Sequence, residues 1–167
     1  MPEKETIFSS KIKYAGVFLF KDFYNFCYEW LTDETNLSIT EKKYEEKLVG
    51  DAKNIKVEWE GTKKMTDYFK FEAEIIFVTE NMTKVEINQN GAKVQMNKGT
   101  VKVSIKGNLE RDYEGKFETT ALWKFLRSIY EKWVIPSRID QYEDKIIEEC
   151  DEFLNQAKAY LDLEGKK

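Results

Sequence analysis

The chain has 167 residues, with 27 Lys and Arg against 31 Asp and Glu, so its formal net charge is −4. We expect one domain over residues 1–167, because single hydrophobic cores grow to about 200 residues before chains split. Aromatic residues make up 14% of the chain, which excludes an intrinsically disordered protein. The sequence contains no histidine. This excludes Ser–His and Cys–His catalytic arrangements and most catalytic zinc sites.

The cysteine count and the N-terminus favour a cytoplasmic protein. Cys27 and Cys150 each lie in a helix-like pattern, and we expect two buried thiols in a reducing compartment. A bridge between them stays open if the first and last helices lie side by side. We expect no secretory signal in Met1–Thr6 and no transmembrane segment, since the charge-free run Tyr14–Phe20 is too short to cross a bilayer. The mild acidity disfavours nucleic acid as a partner.

The N-terminal part of the chain predicts a strand followed by an amphipathic helix. Apolar and basic side chains alternate over Lys11–Val17, which is typical of a strand. From Phe18 to Asp33 the apolar residues recur at helical spacing and are unusually aromatic.

Six further strands are predicted after this helix. They are Glu41–Val49, Asn54–Glu60, Met65–Thr79, Lys84–Asn88, Ala92–Asn97 and Thr100–Leu109. The Asn90-Gly91 pair is a hairpin signal, because both central residues of a type I′ turn need positive φ. Strands joined by such short turns must be antiparallel, and their half-polar alternation predicts one packed and one wet face.

The C-terminal third is predicted to be helical. One amphipathic segment covers Phe117–Ile135, Pro136 breaks or kinks the helix, and a second segment covers Ser137–Leu163. In the second segment apolar residues step by three and four, close to a heptad seam. The predicted fold class is therefore α+β: a strand, a helix, a six-stranded antiparallel sheet and a long C-terminal helical segment broken near Pro136.

This order of elements resembles the helix-grip fold of the START and Bet v1 families. The resemblance covers most of the chain and rests on the order of elements alone. In these families a curved sheet grips the last helix and encloses an apolar cavity. The resemblance implies that the chain binds or carries an apolar small molecule or lipid, although some members of these families also catalyse cyclisation or hydrolysis.

Motifs for catalysis or cofactor binding are missing from the sequence. The eight glycines are scattered singly, so there is neither a phosphate-binding loop nor a dinucleotide fingerprint. Carboxylate pairs such as Glu45-Glu46 and Glu148-Glu149 belong to solvated faces, whereas acid–base catalysis needs a desolvated carboxylate. We therefore predict no catalytic residue, no metal ligand and no cofactor, and we rank an enzyme last among the hypotheses.

The aromatic residues leave three interpretations open: a large aromatic core, a core with a cavity for an apolar ligand, or an exposed stripe that docks a partner or lipid headgroups. For the stripe, the helix Phe18–Leu31 is the best candidate. Arg111 either clamps a ligand head group or pairs with Asp112 or Glu114. The candidate ligand-binding residues are Phe23, Trp30, Trp59, Phe71, Phe77, Trp123, Phe125 and Arg111.

An alternative hypothesis makes the chain an interaction module. The apolar stripe over Ile139–Tyr160 belongs to a helical segment of about 40 Å, against strands of ~17–25 Å. One sheet would not cover it, so the C-terminal helix would pair with itself in a homodimer or with a partner helix.

Overall fold

The structure is a computed structural model that describes residues 3–66, 68–111, 121–129 and 136–165. Five strands and three helices occupy these residues. In chain order they are β1 (Glu3–Phe18), α1 (Phe20–Glu34), β2 (Ser38–Val49), β3 (Ala52–Lys64), β4 (Phe69–Gln89), β5 (Ala92–Arg111), α2 (Ala121–Ile129) and α3 (Pro136–Gly165). The predicted α+β class, the antiparallel sheet and the C-terminal helix are confirmed.

The strands form one sheet in the order β1-β5-β4-β3-β2, with every neighbouring pair antiparallel. Three of the pairs are successive hairpins. The fourth joins the first strand to the last, so that Ile12 faces Val103. This leaves β1 and β2 as the edge strands of the sheet.

The described sheet has five strands, where the sequence predicted one strand followed by six. The segments Met65–Thr79 and Lys84–Asn88 belong to the single strand β4, and Ala92–Asn97 and Thr100–Leu109 belong to β5. A register shift between Glu80 and Thr83, with Asn81 at a φ of 54°, accommodates the interruption as a bulge. Hydrogen bonds from the neighbouring strands continue the ladder on both sides of it, and the sequence of one strand does not reveal them.

Helices α1 and α3 pack on one face of this sheet. The buried residues of β3, β4 and β5 alternate along each strand, so they point to the same side. Paired positions carry the core across the sheet: Val57 faces Phe77, and Phe77 faces Val103. Phe23 of α1 and Phe153 of α3 belong to the same buried cluster.

The apolar stripe of α3 is covered by the chain's own sheet and by α1. Its buried residues are Ile146, Cys150, Phe153, Leu154, Ala157 and Leu161. The close approach depends on Gly107 of β5, where an added Cβ would lie 2.8 Å from both the Cys150 Sγ and the Ile146 Cγ2. The strands run to 21 residues, longer than the typical length assumed from the sequence, so they can support a long helix.

Lys63 of β3 connects the sheet to helices α1 and α3 through hydrogen bonds. Its Nζ donates to the carbonyl oxygen of Thr35, just after the end of α1, at 2.8 Å. The same Nζ donates to Glu149 Oε1 of α3 at 3.1 Å. Carbonyls at a helix end have no partner within the helix, so this lysine satisfies one of them while it pairs with a carboxylate.

The two segments around Pro136 are described in part. Helix α3 begins at Pro136, a favourable position because the missing N–H would have no partner in the first turn. Of the predicted helix Phe117–Ile135, the structure describes Ala121–Ile129; the rest, including the residue before Pro136, lies outside the described residues. No helix in the described ranges is long and apolar enough to cross a membrane.

Both cysteines are buried and free, as predicted from their positions in apolar stripes. Burial raises the pKa of the Cys27 thiol well above its ordinary value. Burial, with a smaller effect of the Glu149 charge, raises the pKa of Cys150 to about 12. Near neutral pH both groups therefore remain neutral thiols.

We expect neither thiol to react with Ellman's reagent in the folded protein at about pH 8, because the thiolate is the reactive form. The colour should develop only as denaturant unfolds the chain, at a rate set by unfolding. A thiol that reacts at once without denaturant would contradict the burial of that cysteine. The fully unfolded chain, in which both cysteines react, supplies the control.

Candidate functional site

Four of the predicted ligand-binding residues are brought together as core. Phe23, Trp59, Phe71 and Phe77 are buried in one cluster. The Phe77 ring centroid lies 4.7 Å from that of Trp59 and 6.1 Å from that of Phe23. The side chains of these residues pack in the core between the sheet and the helices, where the Phe77 ring contacts those of Trp59 and Phe23.

The other predicted residues lie elsewhere. Trp30 is partly buried, with its ring 5.9 Å from that of Phe153. Arg111 Nη2 lies 3.4 Å from Glu5 Oε2, so it forms an ion pair between β5 and β1. Phe125 is exposed on α2, and the side chain of Trp123 lies outside the described residues. The structure therefore does not assemble the predicted set into one site.

A cleft of about 450 Å³ opens between the first turn of α1 and strands β2 to β5, and we call it the α1–β2 cleft. It is lined by Phe20, Lys21, Tyr44, Glu46, Leu48, Asp51, Lys53, Ile55, Met82, Thr83, Lys84 and Asn97. Sequence reasoning missed this site. The available signal was the presence of the apolar residues Tyr44, Leu48 and Val49 in the polar second half of β2.

The helical wall of the cleft is fixed by Asn97 of β5. The N–H of Phe20 opens α1 and has no partner within the helix. Leu19, at the N-cap, offers no side-chain acceptor. Asn97 Oδ1 accepts the hydrogen bond from Phe20 N at 3.0 Å instead. A residue distant in sequence thus caps the helix and anchors it to the sheet.

The floor of the cleft lies at the bulge of β4. The Asn81 N–H donates to Asn54 Oδ1 at 2.8 Å, and the Ile55 N–H donates to Thr79 Oγ1 at 2.9 Å. These side-chain acceptors replace ladder bonds where the registers shift. Met82 and Ile55 are buried beside the bulge and give the cleft an apolar floor.

The rim of the cleft has a small excess of positive charge although the chain is acidic. The lining residues include three lysines, Lys21, Lys53 and Lys84, and two acidic residues, Glu46 and Asp51. Their formal net charge is therefore 3 − 2 = +1. The Lys53 Nζ and Glu46 Oε2 lie 3.9 Å apart and both side chains are well exposed. Such a pair contributes little stability and leaves Lys53 available to a ligand.

A smaller hollow of about 320 Å³ adjoins the cleft, with which it shares Phe20, Lys21 and Tyr44. The Tyr24 hydroxyl there donates to Glu41 Oε1 at 2.6 Å and accepts from Trp59 Nε1 at 3.2 Å. Burial, together with the hydrogen bond to Glu41, raises the pKa of Tyr24 to about 12. Tyr24 is therefore a neutral donor already engaged by a carboxylate.

Tyr44 is held in the same way. Its hydroxyl donates to Glu46 Oε1 at 2.7 Å. Burial and this hydrogen bond raise the pKa of Tyr44 to about 12. With Tyr44 neutral and its proton bound by Glu46, the cleft offers apolar surface, three lysine ammonium groups and the carboxylates of Glu46 and Asp51, an arrangement suited to binding.

Neither a metal-binding group nor a similar protein indicates what the α1–β2 cleft does. Within the described ranges there is no group of three or more Cys, Asp or Glu side chains that could hold a metal ion. Comparison of the chain with family models, with curated proteins and with solved structures finds no match. The function is therefore argued from the geometry of the cleft.

Proposed function

We propose that the chain is a non-catalytic binder of an amphiphilic small molecule with an apolar chain and an anionic head, held in the α1–β2 cleft. One observation carries the proposal. Tyr44 and Leu48, which are 45% and 71% exposed, line a concave site whose floor is apolar. Large apolar side chains left exposed around a groove are typical of ligand-binding surfaces.

The size of the cleft supports this ligand class. Small-molecule sites usually measure ~300–1,000 Å³, and the cleft of about 450 Å³ falls within this range. An alkyl chain lying over Ile55 and Met82 would cover Leu48 and remove its apolar surface from water.

The charges of the rim support an anionic head. Lys21 and Lys84 lie on opposite walls, one on α1 and one on β4. Their ammonium groups stand on flexible stems that can follow a carboxylate or phosphate. Because both lysines are exposed, their attraction for an anionic head group should be modest and should weaken with salt.

The resemblance to the START and Bet v1 families remains part of this proposal. The packing of α3 across the sheet supports it. The position of the ligand differs from the one that the resemblance implies, because Phe23, Phe77 and Trp59 pack against one another beneath the helices. The α1–β2 cleft, at the first turn of α1, offers the room for a ligand.

The alternative hypothesis, a homodimer or partner complex through the C-terminal helix, also stays a prediction. Much of the stripe that motivated it, including Ile146, Phe153 and Ala157, is buried within the chain. Pairing through α3 would therefore use its polar, largely acidic face.

The proposal is tested with dansyl-undecanoate as a fluorescent amphiphile and dodecanoate as its competitor. We expect a saturable rise in dansyl emission that dodecanoate reverses. Leu48→Asp should weaken binding about tenfold or more, which corresponds to about 1.4 kcal/mol. Leu163→Asp is the matched control, since Leu163 is 65% exposed on α3 and is not among the residues that line the cleft.

Two outcomes would refute the proposed function: no saturable binding, or equal loss in the Leu48→Asp and Leu163→Asp variants. The head-group part has its own measurement. Lys84→Gln should weaken dodecanoate and leave dodecanol, which lacks the charge, unchanged. If both competitors weaken together, Lys84 supports the fold of the cleft and does not bind the head.

A further inference from the structure

Helix α2 exposes a continuous apolar stripe. Leu122 and Phe125 are 65% and 61% exposed, and Leu126 and Ile129 are 39% and 40% exposed. Their spacing of three, four and seven residues places all four on one side of the helix. Among the described elements, none makes extensive contact with α2. An apolar stripe of this length left in water costs free energy, which indicates that something covers it.

The stripe that the sequence favoured for docking lies on the other helix. In α1, Phe20, Phe23, Cys27 and Leu31 are buried in the core. The expectation that the Phe18–Leu31 segment docks lipid headgroups or a partner is therefore wrong for this face. The unpartnered stripe belongs to α2.

The charge of α2 indicates what covers it. The nine residues of the helix include Lys124 and Arg127 and no acidic residue, whereas the whole chain has a net charge of −4. At 100° per residue, Lys124 lies on the side opposite the Leu122–Ile129 stripe, and it is exposed. The helix thus combines an apolar side that includes the aromatic Phe125 with a basic residue on the opposite side.

We propose that α2 docks the protein on an anionic phospholipid bilayer. The four apolar side chains would enter the boundary between head groups and acyl chains, and Lys124 would remain at the level of the phosphates. Amphipathic helices with Trp, Phe and Leu on one side and Lys or Arg on the other bind membrane interfaces in this way. At nine residues, about 13.5 Å long, the helix supplies a reversible contact.

The inference is independent of the α1–β2 cleft. None of the residues that line the cleft belongs to α2. The surface would therefore bind a bilayer whether or not the cleft takes up an amphiphile.

Vesicle sedimentation tests the proposal with the full chain. We expect binding to phosphatidylcholine vesicles that contain phosphatidylserine and little binding to pure phosphatidylcholine. Raising the salt from about 0.1 M to about 1 M, which shortens the Debye length from ~10 Å to ~3 Å, should release the protein. Leu122→Asp should reduce the bound fraction severalfold, and Lys124→Glu should reduce it on anionic vesicles only.

Leu163→Asp is again the matched control, because Leu163 and Leu122 have equal exposure, 65%. Leu122→Asp should leave dansyl-undecanoate binding unchanged. The experiments therefore distinguish a loss of vesicle binding from a loss of amphiphile binding in the cleft. Three outcomes would overturn the proposal: no binding to anionic vesicles, equal binding to neutral ones, or equal losses for Leu122→Asp and Leu163→Asp. Light scattering adds a fourth: a dimer that Leu122→Asp dissociates would assign α2 to a protein partner.

Discussion

Replacing Phe77 by alanine is expected to lower the free energy of unfolding by about 3–5 kcal/mol. The ring is fully buried at the centre of the sheet. Its centroid lies 4.7 Å from that of Trp59, 6.1 Å from that of Phe23 and 6.2 Å from that of Tyr24. Removing the ring loses its burial and leaves a hole that rings from α1 and β3 cannot fill without moving. Urea denaturation followed by circular dichroism measures the change.

Phe125→Ala makes the same chemical change where the side chain is 61% exposed. We expect it to alter stability by no more than about 0.5 kcal/mol, because surface substitutions rarely do more. The comparison also decides between two interpretations of the aromatic residues. A cost below ~1 kcal/mol for Phe77→Ala would mean that the ring borders open space, which would favour an internal ligand cavity over a packed core.

Replacing Gly107 by alanine is expected to cost about 1–3 kcal/mol through overpacking. A Cβ at this position would lie 2.8 Å from the Cys150 Sγ and the Ile146 Cγ2, closer than atoms tolerate. Both neighbours are buried, and each is held on the rigid backbone of α3. The helix must therefore lift from β5, which weakens its packing against the sheet.

Gly61→Ala supplies the matched control within the same sheet. Its Cβ would meet Ile39 Cδ1 at 2.9 Å, but this atom is the end of a flexible side chain that can rotate away. We expect a change within about 0.5 kcal/mol. The penalty of Gly107→Ala should shrink in a Cys150→Ala background, because the sulfur that the new methyl meets is gone. Equal losses of unfolding free energy in the two glycine variants would show that α3 does not pack closely against Gly107.

The elements that the sequence predicted well are those whose signal is local. The apolar spacing of α1 and of α3 predicted both helices to within two residues at each end. The alternation from Phe69 to Phe77 predicted which face of β4 is buried. A helix or strand that covers one side of a core must repeat its apolar residues at 3.6 or 2 positions, so the pattern survives in the sequence alone.

The sequence carried no local signal that β4 and β5 are each one continuous strand. The sequence predicted separate strands on either side of residues 80–83 and on either side of Lys98-Gly99. In the structure Gly99 faces Gly16 of β1, and its missing side chain leaves room for the backbone of Met82. Partners from other strands hold the chain extended there.

The candidate sites depended on the fold in the same way. The sequence determined that the chain is α+β, that its sheet is antiparallel and that its rings are numerous enough for a large core. The tertiary structure decided that these rings pack against one another, that α3 is covered and that α2 is not. It also formed the α1–β2 cleft from Phe20, Tyr44, Ile55, Met82 and Asn97, one residue from each of five elements. Periodicity reports which side of one segment is apolar, whereas a cleft exists only where several segments meet and leave space between them.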